Sequence, residues 1–89
     1  MNRVVWKSRI ENTNGVHCRV ASRLTEIVIE HDAEVEITAA SETLDGTSML
    51  EILSLSLTHG SVVSFTAQGP DAQRVAQAIK ELLAYHDDS

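Results

Sequence analysis

The sequence predicts an α+β fold in which one β-sheet and a set of helices form two layers. Segments whose apolar residues recur with a period of two interleave with segments that carry apolar residues at helical spacing. Their order along the chain is β-α-β-β-α-β-α. Because each predicted strand has a single apolar face, we expect helices to cover only one side of the sheet.

A polar turn separates the first strand from the first helix. The alternation over residues 4–10 predicts a strand whose buried face carries Val4, Trp6, Ser8 and Ile10. The polar, turn-forming residues 11–15 interrupt this strand. From about residue 18 the period becomes helical, and one helical face carries Val20, Leu24, Ile27, Val28 and His31.

A second strand, a short third strand and a short helix follow. Residues 34–39 alternate again, and a turn at residues 40–42 leads into a third strand at Thr43 and Leu44. Ser48, with Glu51 three residues later, has the pattern of a capping box and opens the short helix.

The last strand and the last helix lie on either side of a Gly-Pro pair. The alternation over residues 62–67 predicts a strand with Val63, Phe65 and Ala67 on its buried face. Gly69 and Pro70 end this strand, and Asp71 is predicted to cap the helix that follows. The buried stripe of that helix is formed by Val75, Ala78, Ile79, Leu82 and Leu83.

Length and composition predict one small cytoplasmic domain over residues 1–89. The hydrophobic fraction of 43% is typical of a folded domain. A single cysteine, Cys18, excludes an internal disulfide framework, and the N-terminus carries no signal-peptide pattern. The core must rest on aliphatic side chains, because the aromatic residues are limited to Trp6, Phe65 and Tyr85.

The charge balance excludes two classes of partner. Thirteen acidic residues against seven basic ones give a formal net charge of −6, with no basic run. A protein that binds the nucleic-acid backbone or an anionic membrane surface needs a positive surface instead. No apolar stretch approaches the roughly 20 residues that span a bilayer. We therefore expect no nucleic-acid partner and no membrane insertion. We also expect the protein to be a monomer.

A candidate site lies where the polar loop becomes the first helix, at His17-Cys18-Arg19. The first turn of a helix leaves backbone N–H groups without partners, and the helix dipole is positive there. A phosphoryl group finds donors at such a point, and a histidine ring nitrogen is nucleophilic enough to carry one. Arg19 supplies a charged fork for phosphate oxygens, and Gly15 permits a tight bend before the histidine. Surface residues with no function fit the same local pattern.

The chain resembles the HPr family, the histidine-containing phosphocarriers of the bacterial sugar phosphotransferase system. The active-site pattern of that family is Asn-x-x-Gly-aliphatic-His-Ala-Arg-Pro-Ala, and residues 12–21 read Asn-Thr-Asn-Gly-Val-His-Cys-Arg-Val-Ala. A second motif of the family, around Lys-Ser-Ile-Met-Gly, is matched by residues 47–56. The resemblance extends over roughly residues 3–84.

This resemblance implies a fold, a reaction and a set of partners. The fold is an open-faced sandwich of four antiparallel strands with three helices on one face. His17 is the phosphoryl acceptor through Nδ1, Arg19 stabilises the phosphate, and the backbone amides of Cys18 and Val20 bind it. Enzyme I supplies the phosphoryl group and an enzyme IIA domain receives it, so the protein is a stoichiometric carrier rather than an independent catalyst. Neither a metal nor a cofactor is implied.

Four residues depart from the family pattern. Val20 stands where the family has proline, Cys18 replaces a smaller or hydroxyl-bearing residue, Glu51 replaces glycine or lysine, and Ser56 replaces glycine. These positions surround the surface that would meet the partners. They motivate an alternative function, a regulatory HPr-like binding module whose phosphorylation controls a partner enzyme or transcription factor.

Several residues have two interpretations. Ser48 aligns with a serine that a dedicated HPr kinase modifies in some bacteria, but we favour a capping role for it. A thiol enzyme based on Cys18 lacks an oriented base, so we favour a small packing residue there. Met49 and Leu50 either pack into the core or form a partner-docking patch with Arg23. His31, His59 and His86 lack metal-ligand spacing, and His31 is predicted to close the first helix.

Overall fold

Four antiparallel strands form one sheet, and three helices cover one of its faces. The computed structural model describes residues 2–84, so Tyr85 and His86 lie outside the described residues. The elements in chain order are β1 (Arg3–Arg9), α1 (Cys18–Glu30), β2 (Glu34–Ala39), β3 (Glu42–Asp45), α2 (Met49–Ser54), β4 (Val62–Gln68) and α3 (Ala72–Ala84). The predicted fold class and element order are confirmed.

The last strand in the sequence lies in the interior of the sheet. The spatial order is β1-β4-β2-β3, and every neighbouring pair is antiparallel. Phe65 of β4 lies opposite Trp6 on one side and Ile37 on the other. The Trp6 and Phe65 rings are stacked, with centroids 5.1 Å apart. This cross-strand pair holds the register of β1 against β4.

The core is aliphatic, as the composition predicts. Among the buried hydrophobic residues of the described chain, only Trp6 and Phe65 are aromatic. The buried side chains alternate along the strands and recur at helical spacing in α1 and α3, so they meet in one layer between sheet and helices. The largest fully buried aliphatic side chains are Ile10, Leu24, Ile37, Ile52, Ile79 and Leu83.

The turns refine the prediction. Glu42 belongs to β3, so the hairpin between β2 and β3 has a two-residue loop. Both loop residues, Ala40 and Ser41, have positive φ, at 51° and 69°. That conformation matches the right-handed twist of the flanking strands, although glycine and asparagine adopt it more readily than alanine and serine.

The residues predicted to cap α2 and α3 have hydrogen-bond partners that differ from the predicted capping patterns. Asp71 precedes α3, and its carbonyl accepts a hydrogen bond from Val75 N–H (2.9 Å). Its carboxylate instead accepts from Asp32 N–H (2.8 Å), which ties the start of α3 to the loop after α1. The Ser48 hydroxyl accepts from Glu51 N–H (3.4 Å), but Ser48 N–H donates to Asp45 O (3.2 Å), so the return half of the capping box is not formed.

Candidate functional site

His17 is the N-cap residue of α1. Its backbone is extended, with φ −90° and ψ −175°, and its carbonyl accepts a hydrogen bond from Ala21 N–H (2.8 Å). That bond is the first of the helical ladder. The amides of residues 18–20 precede it, so they belong to the open N-terminal turn of the helix. This turn offers N–H donors in a positive field.

The His17 ring turns back over this open turn. Its Nδ1 accepts a hydrogen bond from the Arg19 amide at 3.3 Å. With a donor at Nδ1, the neutral ring carries its own proton on Nε2. The side chain is half-buried, so the ring is both held and reachable. The amide that the structure places at Nδ1 is that of Arg19, which lies between the amides of Cys18 and Val20 named by the resemblance.

The loop before His17 is held by a second loop. Gly15 N–H donates to Asn12 O and Val16 N–H donates to Leu57 O, each at 2.9 Å. Gly15 has φ +68°, and a Cβ at this position would collide with the Leu57 carbonyl oxygen and lie 2.9 Å from Thr58 Cα. The bend predicted at Gly15 therefore has two causes, a left-handed backbone and a close approach of another chain segment.

Asn12 has a structural role that the sequence analysis missed. It is 1% exposed, and its side-chain amide donates to Leu82 O (3.0 Å) near the end of α3. The loop between β1 and α1 is thereby attached to α3 through a buried hydrogen bond between residues 70 positions apart in sequence. The only local signal is that Asn12 opens a turn-rich segment, which is typical of an exposed asparagine and does not reveal burial.

The remaining side chains at the start of α1 divide between core and solvent. Val20, at the position where the family has proline, is 4% exposed and packs into the core. Cys18 is exposed, so the packing role favoured from the sequence is wrong. The reason is that the buried stripe of α1 begins at Val20 and Ala21, and the first helical residue lies before it. Arg19 is exposed beside Cys18.

The three residues predicted to dock a partner have different environments. Arg23 lies one turn after Arg19 on the same side of α1 and is exposed. Its guanidinium pairs with Glu26 and Glu30, each at 3.4 Å. On α2, which contacts α1, Met49 is half-buried against the core and Leu50 is 78% exposed. Leu50 is therefore the more exposed apolar residue of the pair.

Ser48 is half-buried at the start of α2, where its hydroxyl serves as a cap. The preceding loop is braced by Asp45, which accepts hydrogen bonds from the Thr47 amide (2.8 Å) and the Thr47 hydroxyl (2.7 Å). These two bonds lower the pKa of Asp45 below its usual value, and partial burial opposes them. This is the capping role favoured from the sequence, and phosphorylation of Ser48 stays an alternative hypothesis.

The other described histidines have structural partners. The His31 ring lies with Nδ1 2.6 Å from Ile27 O, and His31 is the C-cap of α1, as predicted. His59 Nε2 lies 3.9 Å from a carboxylate oxygen of Glu11, whose other oxygen pairs with Arg9. Within residues 2–84, no three His, Cys, Asp or Glu side chains are placed to hold a metal ion. No helix in this described part of the chain is long and apolar enough to cross a membrane.

The fold and the geometry at His17 define a class of protein: a small open-faced α+β protein that presents a histidine at the N-terminus of its first helix. The family model described as the PTS HPr component phosphorylation site matches residues 6–85. The chain therefore belongs to the HPr family, the phosphocarriers of the phosphotransferase system.

Individual relatives agree with this assignment. The chain is 28% identical over 85 residues to the phosphocarrier protein HPr of Vibrio cholerae, with 93% of this chain and 96% of that protein covered. It is 28% identical over 78 residues to the multiphosphoryl transfer protein of Salmonella typhimurium, covering 84% of this chain and 21% of that longer protein.

The fold also matches solved structures. The crystal structure of the phosphocarrier protein HPr from Bacillus anthracis has a TM-score of 0.87 to this chain, with 93% of this chain and 99% of that one covered. The two sequences are 23% identical, so this similarity shows the fold.

Proposed function

We propose that this phosphocarrier accepts a phosphoryl group on Nδ1 of His17 from an enzyme I and passes it to an enzyme IIA domain. The observation that carries the proposal is the 3.3 Å contact between Nδ1 and the Arg19 amide at the open start of α1. It directs the reactive nitrogen toward backbone donors while the ring stays accessible. A phosphoryl group bound to this nitrogen lies in the positive field of the helix N-terminus.

The chemistry follows from the state of the ring. The lone pair on Nδ1 forms the new N–P bond while the bond between phosphorus and the donor breaks, and the donor keeps that electron pair. The proton on Nε2 stays in place, so the phosphorylated ring acquires positive charge. This charge makes the ring a good leaving group, and the onward transfer is the same step in reverse with a new acceptor.

Arg19 serves this reaction in two ways. Its amide donates to Nδ1 in the unphosphorylated protein, and the long donor–acceptor distance of 3.3 Å makes that bond weak and easily exchanged. When Nδ1 bonds to phosphorus, the same amide is free to donate to a phosphoryl oxygen. The exposed guanidinium supplies additional donors for the equatorial oxygens, where charge spreads in the transition state.

The partners would dock on the surface formed by the starts of α1 and α2. Leu50 supplies exposed apolar area, and Arg23 supplies a cation whose exposed ion pairs with Glu26 and Glu30 are weak enough to exchange for partner carboxylates. A small apolar patch with a polar rim suits a transient contact, which a carrier needs in order to leave one partner for the next.

The test is to incubate the protein with phosphoenolpyruvate and an enzyme I from the same cell and to record intact mass. We expect the gain of one acid-labile phosphoryl group, absent from His17→Ala. The matched control is His59→Ala, which removes an exposed histidine outside the α1 start and keeps the acceptor. Failure of the wild-type protein to be labelled by any enzyme I of that cell would contradict the proposal.

A second measurement separates transfer from regulation. The phosphorylated protein is isolated and mixed with candidate enzyme IIA domains from the same cell. Rapid loss of the label to one of them identifies a carrier in a transfer chain. Retention of the label by the protein in the presence of all of them would instead indicate the regulatory module.

A further inference from the structure

We infer that Asn12 is a positioning residue for the phosphoryl transfer at His17, acting through a buried connection to the end of α3. This inference rests on the proposed function. Asn12 lies five residues before His17 in the sequence, is 1% exposed, and donates its side-chain amide to Leu82 O near the end of α3. This bond would act on the reaction through the loop that joins Asn12 to His17.

The connection starts at the last turn of α3. Carbonyl groups at a helix C-terminus lack partners within the helix and need donors from elsewhere. Two donors come from the loop after β1: the Asn12 side-chain amide bonds to Leu82 O (3.0 Å), and Glu11 N–H bonds to Leu83 O (2.8 Å). The loop thus caps α3, and α3 in return fixes the loop.

From Asn12 the constraint continues to the site. The Asn12 carbonyl accepts from Gly15 N–H, which closes a four-residue turn, and Val16 N–H is bonded to Leu57 O, both at 2.9 Å. Val16 is itself buried, at 6% exposure. Only His17 then separates this fixed segment from the amides of α1. A shift of Asn12 would therefore move the His17 ring relative to the Arg19 amide, because the loop between Asn12 and His17 is held by hydrogen bonds and cannot rearrange independently.

The asparagine side chain is the appropriate one for this position. It donates to a carbonyl while filling a buried site, and alanine would remove that donor. Aspartate, of nearly the same shape, would place a carboxylate against the negative end of α3. A misplacement of about 1 Å in a transfer site can lower the rate up to about a hundredfold. Loss of the hydrogen bond from Asn12 to Leu82 O is therefore expected to slow the phosphorylation of His17 even under conditions where the variant is fully folded.

The experiment compares Asn12→Ala with Val35→Ala, at a temperature where both variants are fully folded. Val35 is buried in β2, on the far side of β4 from β1, and packs beside Gly46, so its truncation destabilises the protein without touching the loop. We expect the initial rate of His17 phosphorylation to fall about tenfold in Asn12→Ala and less than about twofold in Val35→Ala. A rate in Asn12→Ala no lower than that in Val35→Ala would overturn the inference.

A second readout does not require phosphorylation. The amide resonance of Arg19 and the Nδ1 resonance of His17 in ¹⁵N spectra report their mutual contact directly. We expect both to move in Asn12→Ala and to stay in place in Val35→Ala. If the wild-type protein is not phosphorylated at all, the proposed function fails, and these resonances alone decide the positioning role: no movement in Asn12→Ala would refute it.

Discussion

Gly15 offers a sharp test of how the loop before His17 is built. Replacing it by alanine adds one methyl group at a position with φ +68°. A left-handed backbone costs an L-residue about 1–2 kcal/mol. The new Cβ would also collide with the Leu57 carbonyl oxygen and approach Thr58 Cα to 2.9 Å, so backbone has to move. Such overpacking adds about 1–3 kcal/mol, for a total of about 2–5 kcal/mol.

Gly60 supplies a matched control for the conformational part of this cost. Its φ is also positive, at +92°, but an added Cβ would meet only the Arg9 guanidinium at 3.7 Å, an ordinary contact at the end of a flexible side chain. Gly60→Ala therefore carries the left-handed cost without the collision. The loss of chain entropy in the unfolded state is common to both variants and cancels in the comparison. The difference between them isolates the contact with Leu57 and Thr58.

Urea unfolding followed by circular dichroism measures this difference. We expect Gly15→Ala to be less stable than Gly60→Ala by about 1–3 kcal/mol. With a slope of about 1–2 kcal/mol per molar urea, a difference of about 2 kcal/mol lowers the midpoint by about 1–2 M. Equal midpoints for the two variants would refute the reasoning, since they would show that the loop near Leu57 accommodates a side chain without cost.

Three other predictions address different parts of the molecule. Ser56 has φ +51° at the position after the C-cap of α2, and Ser56→Gly should raise the free energy of unfolding by about 0.5–1 kcal/mol; a lower melting temperature would contradict this. Thr47 donates hydrogen bonds to the Asp45 carboxylate through its amide and its hydroxyl, and these bonds lower the pKa of Asp45 below 3.8 in the folded protein. Their contribution to the stability of the protein is therefore present above pH 3.8 and is lost as the pH falls through the pKa of Asp45 in the folded protein. Thr47→Val removes the hydroxyl and should bring the pKa of Asp45 back toward 3.8 in an NMR titration, and an unchanged titration would argue against the assigned cause. Leu50→Ala should weaken binding to the phosphoryl donor about fivefold without changing the melting temperature. The control is Ile29→Ala, which truncates a side chain of similar exposure and should leave binding unchanged. Equal effects of the two substitutions would show that Leu50 is not part of the docking surface.

The departures from the family pattern have different consequences in the structure. Val20 has an amide N–H where the proline of the family has none, and its side chain is buried in the core. Ser56 keeps the left-handed conformation that glycine adopts easily, so it adds strain close to the Leu57 carbonyl that supports the loop before His17. Neither departure displaces the His17 ring from the Arg19 amide. Cys18 and Glu51 are exposed, where a partner would meet them.

Local patterns predicted the elements because alternation and helical spacing are written in neighbouring residues. The buried position of Trp6 in β1, the start of α1 after His17, and the capping hydroxyl of Ser48 all follow from fewer than ten residues each. The placement of His17 and Arg19 is predictable for the same reason, since the donors of a helix N-terminus belong to its own first turn.

What only the tertiary structure decided are the contacts between distant segments. Neither the interior position of β4 nor the use of Asp71 to hold Asp32 has a periodic signature. The burial of Asn12 depends on the carbonyl of Leu82, 70 residues away, and the need for glycine at position 15 is completed by Leu57. The sequence by itself determined which elements form and which histidine starts a helix, because those depend on local backbone chemistry. The tertiary packing determined how that histidine is held, because its supports come from chain segments that meet only when the sheet and helices are assembled.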